Sequence, residues 1–243
     1  MRIAEKIKMD RAGLEEHGPI TIVAFGDSVT HGAVGAGEIE YETVYWNRLK
    51  KKLNSLRNYV PVNVMNAGIG GDSAPRSLMR MESQVLKYDP DLIIVCFGLN
   101  DVNGSKDSFI NALAEIFRKC VESGAEVIYM SPNMLNTYVA EDTEAQFFSY
   151  AHKTADMQNS GRMDDYIYSA CELAREMGVT VCDCYSKWKE LSKTQDTTLM
   201  LANRINHPTR EMHELFAEAL FETIFASEED KSVGEGDSTM YRA

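Results

Sequence analysis

The sequence predicts an α/β fold in which helices cover both faces of a five-stranded parallel sheet. Short apolar runs alternate along the chain with longer segments whose apolar residues recur at helical spacing, and this alternation is typical of βα units. The run at residues 92–97 is continuously apolar and rich in β-branched side chains, as expected of a parallel strand buried on both faces. With 243 residues, of which 44% are hydrophobic, the chain is long enough to bury one sizeable core.

The predicted strands end at turn-forming or polar residues, and they cover residues 21–25, 62–65, 92–97, 127–130 and 179–182. The predicted helices cover residues 40–57, 73–88, a segment from 109 that stops near Gly124, 166–177 and a final segment that begins after Pro208. Residues 136–161 are mostly polar with a few aromatic side chains, a pattern that fits a helix and a lid-like loop equally well.

The chain contains one predicted domain and an acidic tail. Residues 1–226 show no internal repeat and no low-complexity block, so we predict a single domain over this range. Residues 227–243 carry five acidic and two basic side chains and almost no large apolar ones. Such a segment buries too little surface to offset the entropy lost on ordering, which predicts a disordered tail.

The formal net charge is −12 at pH 7. This charge disfavours nucleic acids and anionic membrane surfaces as partners, because both would repel it. No apolar run reaches the roughly 18 residues of a membrane-spanning helix, and the N-terminal segment lacks the apolar stretch of about 7–15 residues that a signal peptide needs. The five cysteines are an odd number inside apolar segments, so we expect reduced thiols and a cytoplasmic protein.

Polar, glycine-containing turns follow the first three predicted strands, at residues 26–28, 66–72 and 98–101. Because the carboxyl ends of parallel strands meet at one edge of a sheet, we expect these turns to converge there. In the first turn, Ser28 stands directly after a strand and a glycine, where a nucleophilic hydroxyl can be held exposed. Taken alone, Ser28 is better explained as the cap of the next helix, so the hypothesis depends on the other two turns.

Those two turns offer hydrogen-bond donors for a developing oxyanion. Asn100 supplies a side-chain amide directly after the third strand, and Gly71 supplies a backbone N–H that no side chain shields. Together with the N–H of Ser28 they would form an oxyanion hole with three donors. Taken separately, Asn100 and the residue after it also form a common turn sequence. The glycine pair that ends at Gly71 is also common in flexible links.

A serine nucleophile also needs a base that takes its proton. His207 lies at the junction between a loop and the last helix, from which a side chain can reach over the edge of the sheet. A single histidine near a helix start is more often a capping or surface residue. His31 is the alternative base, but it follows Ser28 by only three residues on a tight turn and is poorly placed to reach the hydroxyl.

Two other patterns in the sequence do not indicate a binding site. The glycines at residues 68–71 and 32–37 do not match the G-x-G-x-x-G spacing of dinucleotide-binding turns. Cys182 and Cys184 have no second pair of ligands at the spacing of a zinc site, so they are better explained as side chains lining the fifth strand.

The polar blocks, taken in order, resemble the four sequence blocks of the SGNH hydrolases, also called GDSL lipases and esterases. They are Gly-Asp-Ser-Val-Thr at 26–30, Asn-Ala-Gly-Ile-Gly-Gly-Asp at 66–72, Gly-Leu-Asn-Asp at 98–101 and His-Pro at 207–208. Each block is weak alone, whereas four in the same order and spacing are specific.

The resemblance implies a three-layer α/β/α sandwich of the flavodoxin-like type. It also implies a serine esterase or acylhydrolase that uses no metal and no cofactor. Mapped onto this sequence, the family pattern implies Ser28 as nucleophile, Gly71 and Asn100 as oxyanion donors and His207 as base. The expected substrate is a small soluble ester with a short acyl group, such as an O-acetyl group on a carbohydrate. The alternative is a weakly active or non-catalytic relative that binds an acylated or carbohydrate ligand.

This sequence departs from the family pattern at one position. The family usually places an aspartate three residues before the histidine, and Arg204 occupies that position here. We therefore expect an uncharged group to orient His207, either the side-chain carbonyl of Asn203 or a backbone carbonyl, and Arg204 to point away toward solvent or a carboxylate. Asn206 and a distant acid such as Asp196 are the alternatives.

Overall fold

The computed structural model describes residues 3–35, 37–57 and 60–234. The chain folds around a parallel five-stranded sheet with the strand order β4-β1-β5-β6-β7, and a short antiparallel ribbon of β2 and β3 stands apart from it. The strands are β1 (Ile20–Gly26), β2 (Ala33–Gly35), β3 (Glu38–Ile39), β4 (Val62–Gly68), β5 (Leu92–Cys96), β6 (Glu126–Met130) and β7 (Thr180–Cys182). All five strands predicted for the main sheet are confirmed.

The largest shift in a strand boundary is at β4, which continues to Gly68 instead of ending at residue 65. It does so because β4 pairs with β1 along its full length, from Ile20 opposite Val62 to Gly26 opposite Gly68. Every residue of β5 is buried, in agreement with its continuously apolar sequence.

The strand order places a topological switch point at β1 and β5. The chain leaves β1 toward one edge of the sheet to form β4, and then crosses over β1 to form β5 on its other side. In sheets of this type the loops diverge at that point and leave a crevice outside the carboxyl ends of the strands. Ser28 follows β1 and Asn100 follows β5, so both lie at this crevice.

The helices are α1 (Ile3–Ile7), α2 (Arg11–His17), α3 (Ser28–His31), α4 (Tyr45–Ser55), α5 (Ala74–Ser77), α6 (Met81–Gln84), α7 (Lys106–Glu122), α8 (Phe148–Asn159), α9 (Arg162–Glu176), α10 (Cys184–Leu191) and α11 (His213–Gly234). Helices α4 and α11 pack together on the sheet, as do α7 and α9, so helices and sheet form the expected three layers. Within the described residues, no helix is both long and apolar enough to cross a membrane.

Two predicted helices need correction, and the structure also assigns a segment that the sequence left open. The helix predicted over residues 73–88 is broken into α5, α6 and two 3₁₀ turns, because the residues around Arg80 turn inward to bury its side chain. The helix predicted from residue 40 begins at Tyr45, since Glu40 bonds instead to Gly32 beside the ribbon. The undecided segment 136–161 is a loop followed by a 3₁₀ turn and α8.

The C-terminal end also differs from the expectation. Helix α11 continues to Gly234, eight residues past the predicted end of the domain at 226. The first part of the predicted disordered tail is thus helical, and residues 235–243 lie outside the described residues. All five cysteines are buried and unbridged.

Candidate active site

Ser28 is the first residue of α3 and is separated from the end of β1 by Asp27 alone. Gly26, the last residue of β1, and Asp27 together form the sharp turn between strand and helix. A Cβ atom on Gly26 would lie 2.2 Å from Thr30 Oγ1 and 2.6 Å from the carbonyl oxygen of Cys96, so only glycine fits there. Asp27 then caps the helix, because its Oδ1 accepts the backbone N–H of Val29 at 3.0 Å. The sequence Gly-Asp-Ser therefore fixes the Ser28 hydroxyl at the end of a central strand.

His207 reaches this hydroxyl, as the sequence predicted. Its Nε2 lies 3.0 Å from Ser28 Oγ, although the two residues are 179 positions apart in the chain. His31 lines the same cavity, but the histidine hydrogen-bonded to Ser28 Oγ is His207. The structure thus brings together the predicted nucleophile and the predicted base.

The loop that carries His207 is held by Asn203, in a way that differs from the prediction. Asn203 Oδ1 accepts the backbone N–H groups of Ile205, Asn206 and His207 at 3.0, 3.0 and 2.9 Å. Its Nδ2 donates to Asn206 Oδ1 at 2.9 Å. The Asn203 side chain therefore fixes the backbone of His207 and does not accept from its ring.

The prediction of an uncharged acceptor for the imidazole is wrong in this structure. His207 Nδ1 is buried and has no hydrogen-bond partner among the described residues, neither Asn203 nor a backbone carbonyl. The distant acid considered as an alternative is engaged elsewhere, since Asp196 accepts from the hydroxyl of Tyr138 at 2.6 Å. Three backbone donors already occupy Asn203 Oδ1, and this is why it does not turn toward the ring.

Arg204 points away from the imidazole, as predicted. Its guanidinium pairs with Asp142, with Nε–Oδ distances of 3.0 and 2.9 Å, and also donates to the carbonyl oxygens of Leu199 and Leu201. Arg204 adopts a left-handed backbone conformation with φ of 58°, which turns its side chain outward from the loop. The family position of the triad acid is thus occupied by a cation that ties the His207 loop to the segment before α8.

Burial sets the protonation state of the base. The pKa of His207 is lowered from 6.5 to about 4, because desolvation disfavours the charged imidazolium. The ring is therefore neutral near pH 7. Since Nε2 faces the Ser28 hydroxyl, the neutral ring can accept its proton at that atom when Nδ1 carries the hydrogen.

We expect kcat/KM for ester hydrolysis to fall with decreasing pH only around pH 4, because protonated His207 cannot accept the serine proton. A pH series of initial rates at low substrate concentration measures this midpoint. A midpoint near the ordinary histidine value of about 6.5 would contradict the buried, unpaired imidazole. The buried Asp101 has a pKa raised by desolvation to about 6, but its ionisation with increasing pH would add negative charge and lower the rate, the opposite sign.

The predicted oxyanion donors lie around the same cavity. Asn100 Nδ2 donates one hydrogen to the carbonyl oxygen of Asp72 at 2.8 Å, and an amide nitrogen carries a second. Gly71 has a φ of 72°, has open space where a Cβ would be and lines the cavity. As the first residue of α3, Ser28 has an N–H with no acceptor inside that helix.

The cavity above Ser28 has a volume of about 480 Å³. The ribbon of β2 and β3 forms one wall, and Phe147 and Tyr150 at the start of α8 also line it. None of the described lining residues is an aspartate, glutamate, lysine or arginine. The sequence analysis did not predict that these segments line the cavity. Two features of the sequence indicated them: the glycine-rich segment at 32–37 and the aromatic residues within the polar stretch at 147–150.

Comparison with known proteins agrees with this geometry. The model of the GDSL-like Lipase/Acylhydrolase family matches residues 24–215, which include Ser28, Gly71, Asn100 and His207. Among curated proteins, an uncharacterized lipoprotein, YqeF of Bacillus subtilis (strain 168), is 32% identical over 92 residues, which cover 37% of this chain and 35% of that protein. The chain thus matches only about a third of that relative's length.

Solved structures share the fold at low sequence identity. Axe2, an acetylxylan esterase from Geobacillus stearothermophilus, superposes with a TM-score of 0.66 at 21% identity, covering 84% of this chain and 94% of that one. A lipase/acylhydrolase from Enterococcus faecalis gives 0.65 at 22% identity, covering 86% and 96%. With the family match extending over most of its length, the chain belongs to the GDSL-like lipase/acylhydrolase family.

Proposed function

We propose that the protein hydrolyses small, uncharged esters with short acyl groups, with Ser28 as nucleophile and His207 as general base. The observation that carries this proposal is the 3.0 Å contact between Ser28 Oγ and His207 Nε2 within a cavity at the switch point of the sheet. A nucleophile within hydrogen-bond reach of a neutral base is the arrangement that acyl transfer needs.

In the first half of the reaction, Ser28 Oγ attacks the acyl carbon while His207 Nε2 takes the hydroxyl proton. The carbonyl oxygen becomes an oxyanion, which the N–H groups of Ser28 and Gly71 and the amide of Asn100 stabilise. His207 then gives its proton to the departing alkoxide, and the acyl group stays on Ser28. In the second half, water attacks the acyl carbon, His207 accepts its proton, and the carboxylic acid leaves as Ser28 regains its hydrogen.

The unpartnered Nδ1 of His207 raises the barrier of this reaction relative to a full triad. Proton transfer creates an imidazolium whose Nδ1–H is buried without an acceptor among the described residues. No carboxylate among the residues that the structure describes bonds to Nδ1 and stabilises that charge, and disabling the acid of a Ser-His-Asp triad costs on the order of 10⁴ in kcat. We therefore propose an enzyme slower than members of the family that carry the aspartate.

The cavity supports an uncharged substrate. No charged side chain is among its described lining residues, so an anionic or cationic group entering it would lose hydration without gaining an ion pair. Phe147 and Tyr150 offer a flat apolar surface on one side. An O-acetyl group on a carbohydrate fits these properties, and the structurally similar Axe2 is an acetylxylan esterase.

A second candidate function is a binding module that holds an acylated or carbohydrate ligand without cleaving it. The observation that favours it is the replacement of the usual acid by Arg204, which is directed toward Asp142. The two functions differ in a measurable way, because a binding module changes no ester concentration with time.

A series of 4-nitrophenyl esters tests the proposed function. We expect turnover that is highest with acetate or butyrate and falls by octanoate, because the cavity is small and the chain exposes no long apolar channel among the residues that line it. Release of nitrophenolate above the spontaneous rate measures this. An optimum at octanoate would contradict the short-acyl preference, and no turnover with any ester would favour the binding module.

A further inference from the structure

Arg80 is a buried arginine that lies outside the cavity, contacts the backbone at two turns of the active site and is linked to the third turn through Asp72. It is only 9% exposed and is not among the residues that line the cavity. Its guanidinium stacks on Phe25, 4.7 Å from the ring centroid, in the strand that leads to Ser28. Each of its five N–H donors has an acceptor, so its position is fixed by a complete set of hydrogen bonds.

Two of these hydrogen bonds hold the ends of neighbouring strands. Nη2 donates to the carbonyl oxygen of Gly26 at 3.0 Å, two residues before Ser28. Nη1 donates to the carbonyl oxygen of Ala67 at 2.6 Å, at the start of the turn that carries Gly71. The same planar group thus links the backbone segments that present two of the three proposed oxyanion donors.

The third donor is reached through Asp72. Arg80 Nε donates to Asp72 Oδ2 at 2.8 Å, and Ser77 donates to the same oxygen at 2.6 Å. The backbone carbonyl of Asp72 in turn accepts the side-chain amide of Asn100 at 2.8 Å. Asp72 therefore connects the guanidinium to the orientation of the Asn100 amide.

Arg80 pairs with Asp72, one of three buried aspartates that influence one another in this region. Asp27, Asp72 and Asp101 are all buried, and each is the chain neighbour of a proposed oxyanion donor. Asp101 accepts the N–H groups of Ala74 and Gly98 at 2.8 and 3.0 Å, and Asp27 accepts that of Val29. Arg76 also approaches Asp72, but only at 3.9 Å and from solvent.

We propose that Arg80 is a positioning residue for the oxyanion hole: it holds the turns after β1 and β4 and, through Asp72, the amide of Asn100 in the geometry that binds the oxyanion. This role rests on the proposed function of Ser28, Gly71 and Asn100. Because Arg80 does not line the cavity, its loss should affect the transition state far more than the binding of substrate.

Arg80→Lys tests this while keeping the positive charge. A lysine has a single nitrogen and no planar fork, so it cannot reach two strand ends and Asp72 together. We expect kcat for 4-nitrophenyl acetate to fall about 10- to 100-fold with KM within about threefold, since a small displacement of catalytic donors has effects of this size. The inhibition constant of a small boronic acid, which forms a tetrahedral adduct with Ser28, should rise by a similar factor.

Lys6→Met is the matched control. Lys6 is also buried, and its ammonium pairs with Asp91 at 2.8 and 2.9 Å, immediately before β5 at the opposite end of the strands from Ser28. We expect this variant to unfold at a lower temperature with an unchanged kcat and an unchanged boronic acid affinity. Arg80→Met, which also removes the charge, should lower both the unfolding temperature and kcat.

The outcomes separate a positioning role from a structural one. The proposal is overturned if folded Arg80→Lys keeps kcat within twofold of the wild type, if only its KM changes, or if Lys6→Met loses as much kcat. The NMR signals of the Asn100 side-chain amide, assigned by their loss in Asn100→Asp, should shift in Arg80→Lys and stay in place in Lys6→Met. This readout needs no turnover, so it tests Arg80 even if the wild type hydrolyses no ester and the proposed function fails.

Discussion

Ser28→Ala should lower kcat for 4-nitrophenyl acetate about 10⁴-fold and abolish covalent labelling by a fluorophosphonate. The variant removes the atom that forms the acyl-enzyme, while the oxyanion donors remain. Loss of the serine from a full triad costs on the order of 10⁶ in kcat. We expect a smaller loss here because His207 Nδ1 has no carboxylate partner, so the wild type starts from a lower rate.

Ser73→Ala is the control for this measurement. Ser73 lies at the same edge of the sheet, beside the oxyanion turn, and its side chain makes no capping hydrogen bond to α5. Its variant should keep both turnover and labelling. Mass spectrometry of the labelled wild type should place the probe on Ser28, and a probe found on another serine of an active enzyme would show that the nucleophile is misassigned.

Asn100→Ala should lower kcat about 10²- to 10³-fold and leave KM nearly unchanged. One donor of an oxyanion hole contributes this much because its hydrogen bond is strongest when the carbonyl oxygen carries a full negative charge. The alanine also frees the carbonyl oxygen of Asp72, to which Asn100 Nδ2 now donates. Steady-state kinetics with 4-nitrophenyl acetate separates the two parameters.

Asn103→Ala is the matched control, since Asn103 carries the same amide on the same turn but does not line the cavity. Its amide donates only to the backbone carbonyl of Asn100, at 3.2 Å. We expect its kcat within about threefold of the wild type. If Asn100→Ala raises KM and leaves kcat in place, Asn100 binds the ground state of the substrate and is not an oxyanion donor.

The main sheet was predictable because its signal is local. The run at 92–97 is apolar at every position, as expected of a strand covered on both faces, and β5 is buried throughout. The turns after β1 and β5 followed from the rule that parallel strands end at a common edge. Local sequence patterns were not enough to predict that Ser28 and His207 meet, since the two residues are 179 positions apart. That prediction depended on the resemblance to a family in which these sequence blocks form one site.

The missed features depend on contacts between distant parts of the chain. The ribbon of β2 and β3 has strands of three and two residues, too short to show a period of two. The helix predicted over 73–88 is broken near Arg80, a residue type expected on the solvent-facing side of a helix. Here the Arg80 side chain is buried instead, because it donates hydrogen bonds to Gly26, Ala67 and Asp72.

The sequence also could not predict which groups the Asn203 side chain bonds to. The side-chain oxygen of an asparagine four residues before a histidine can accept a hydrogen bond from the imidazole ring or from backbone N–H groups. The amino-acid sequence is compatible with both arrangements. The chain folds so that three consecutive N–H groups converge on Asn203 Oδ1, which leaves no acceptor for the imidazole. The outward path of Arg204, in contrast, followed from charge alone, because a cation beside the imidazole would oppose its protonation.

The low pKa of His207 has a consequence for sustained hydrolysis. Every ester that is cleaved releases a carboxylic acid, so a dense or poorly buffered substrate acidifies its own surroundings as the reaction proceeds. An enzyme with an ordinary histidine as base would slow down as the medium approaches pH 6. Burial lowers the pKa of His207 to about 4, which is close to the pKa of the carboxylic acids released. Ester hydrolysis by this enzyme would therefore continue until the released acid buffers the solution.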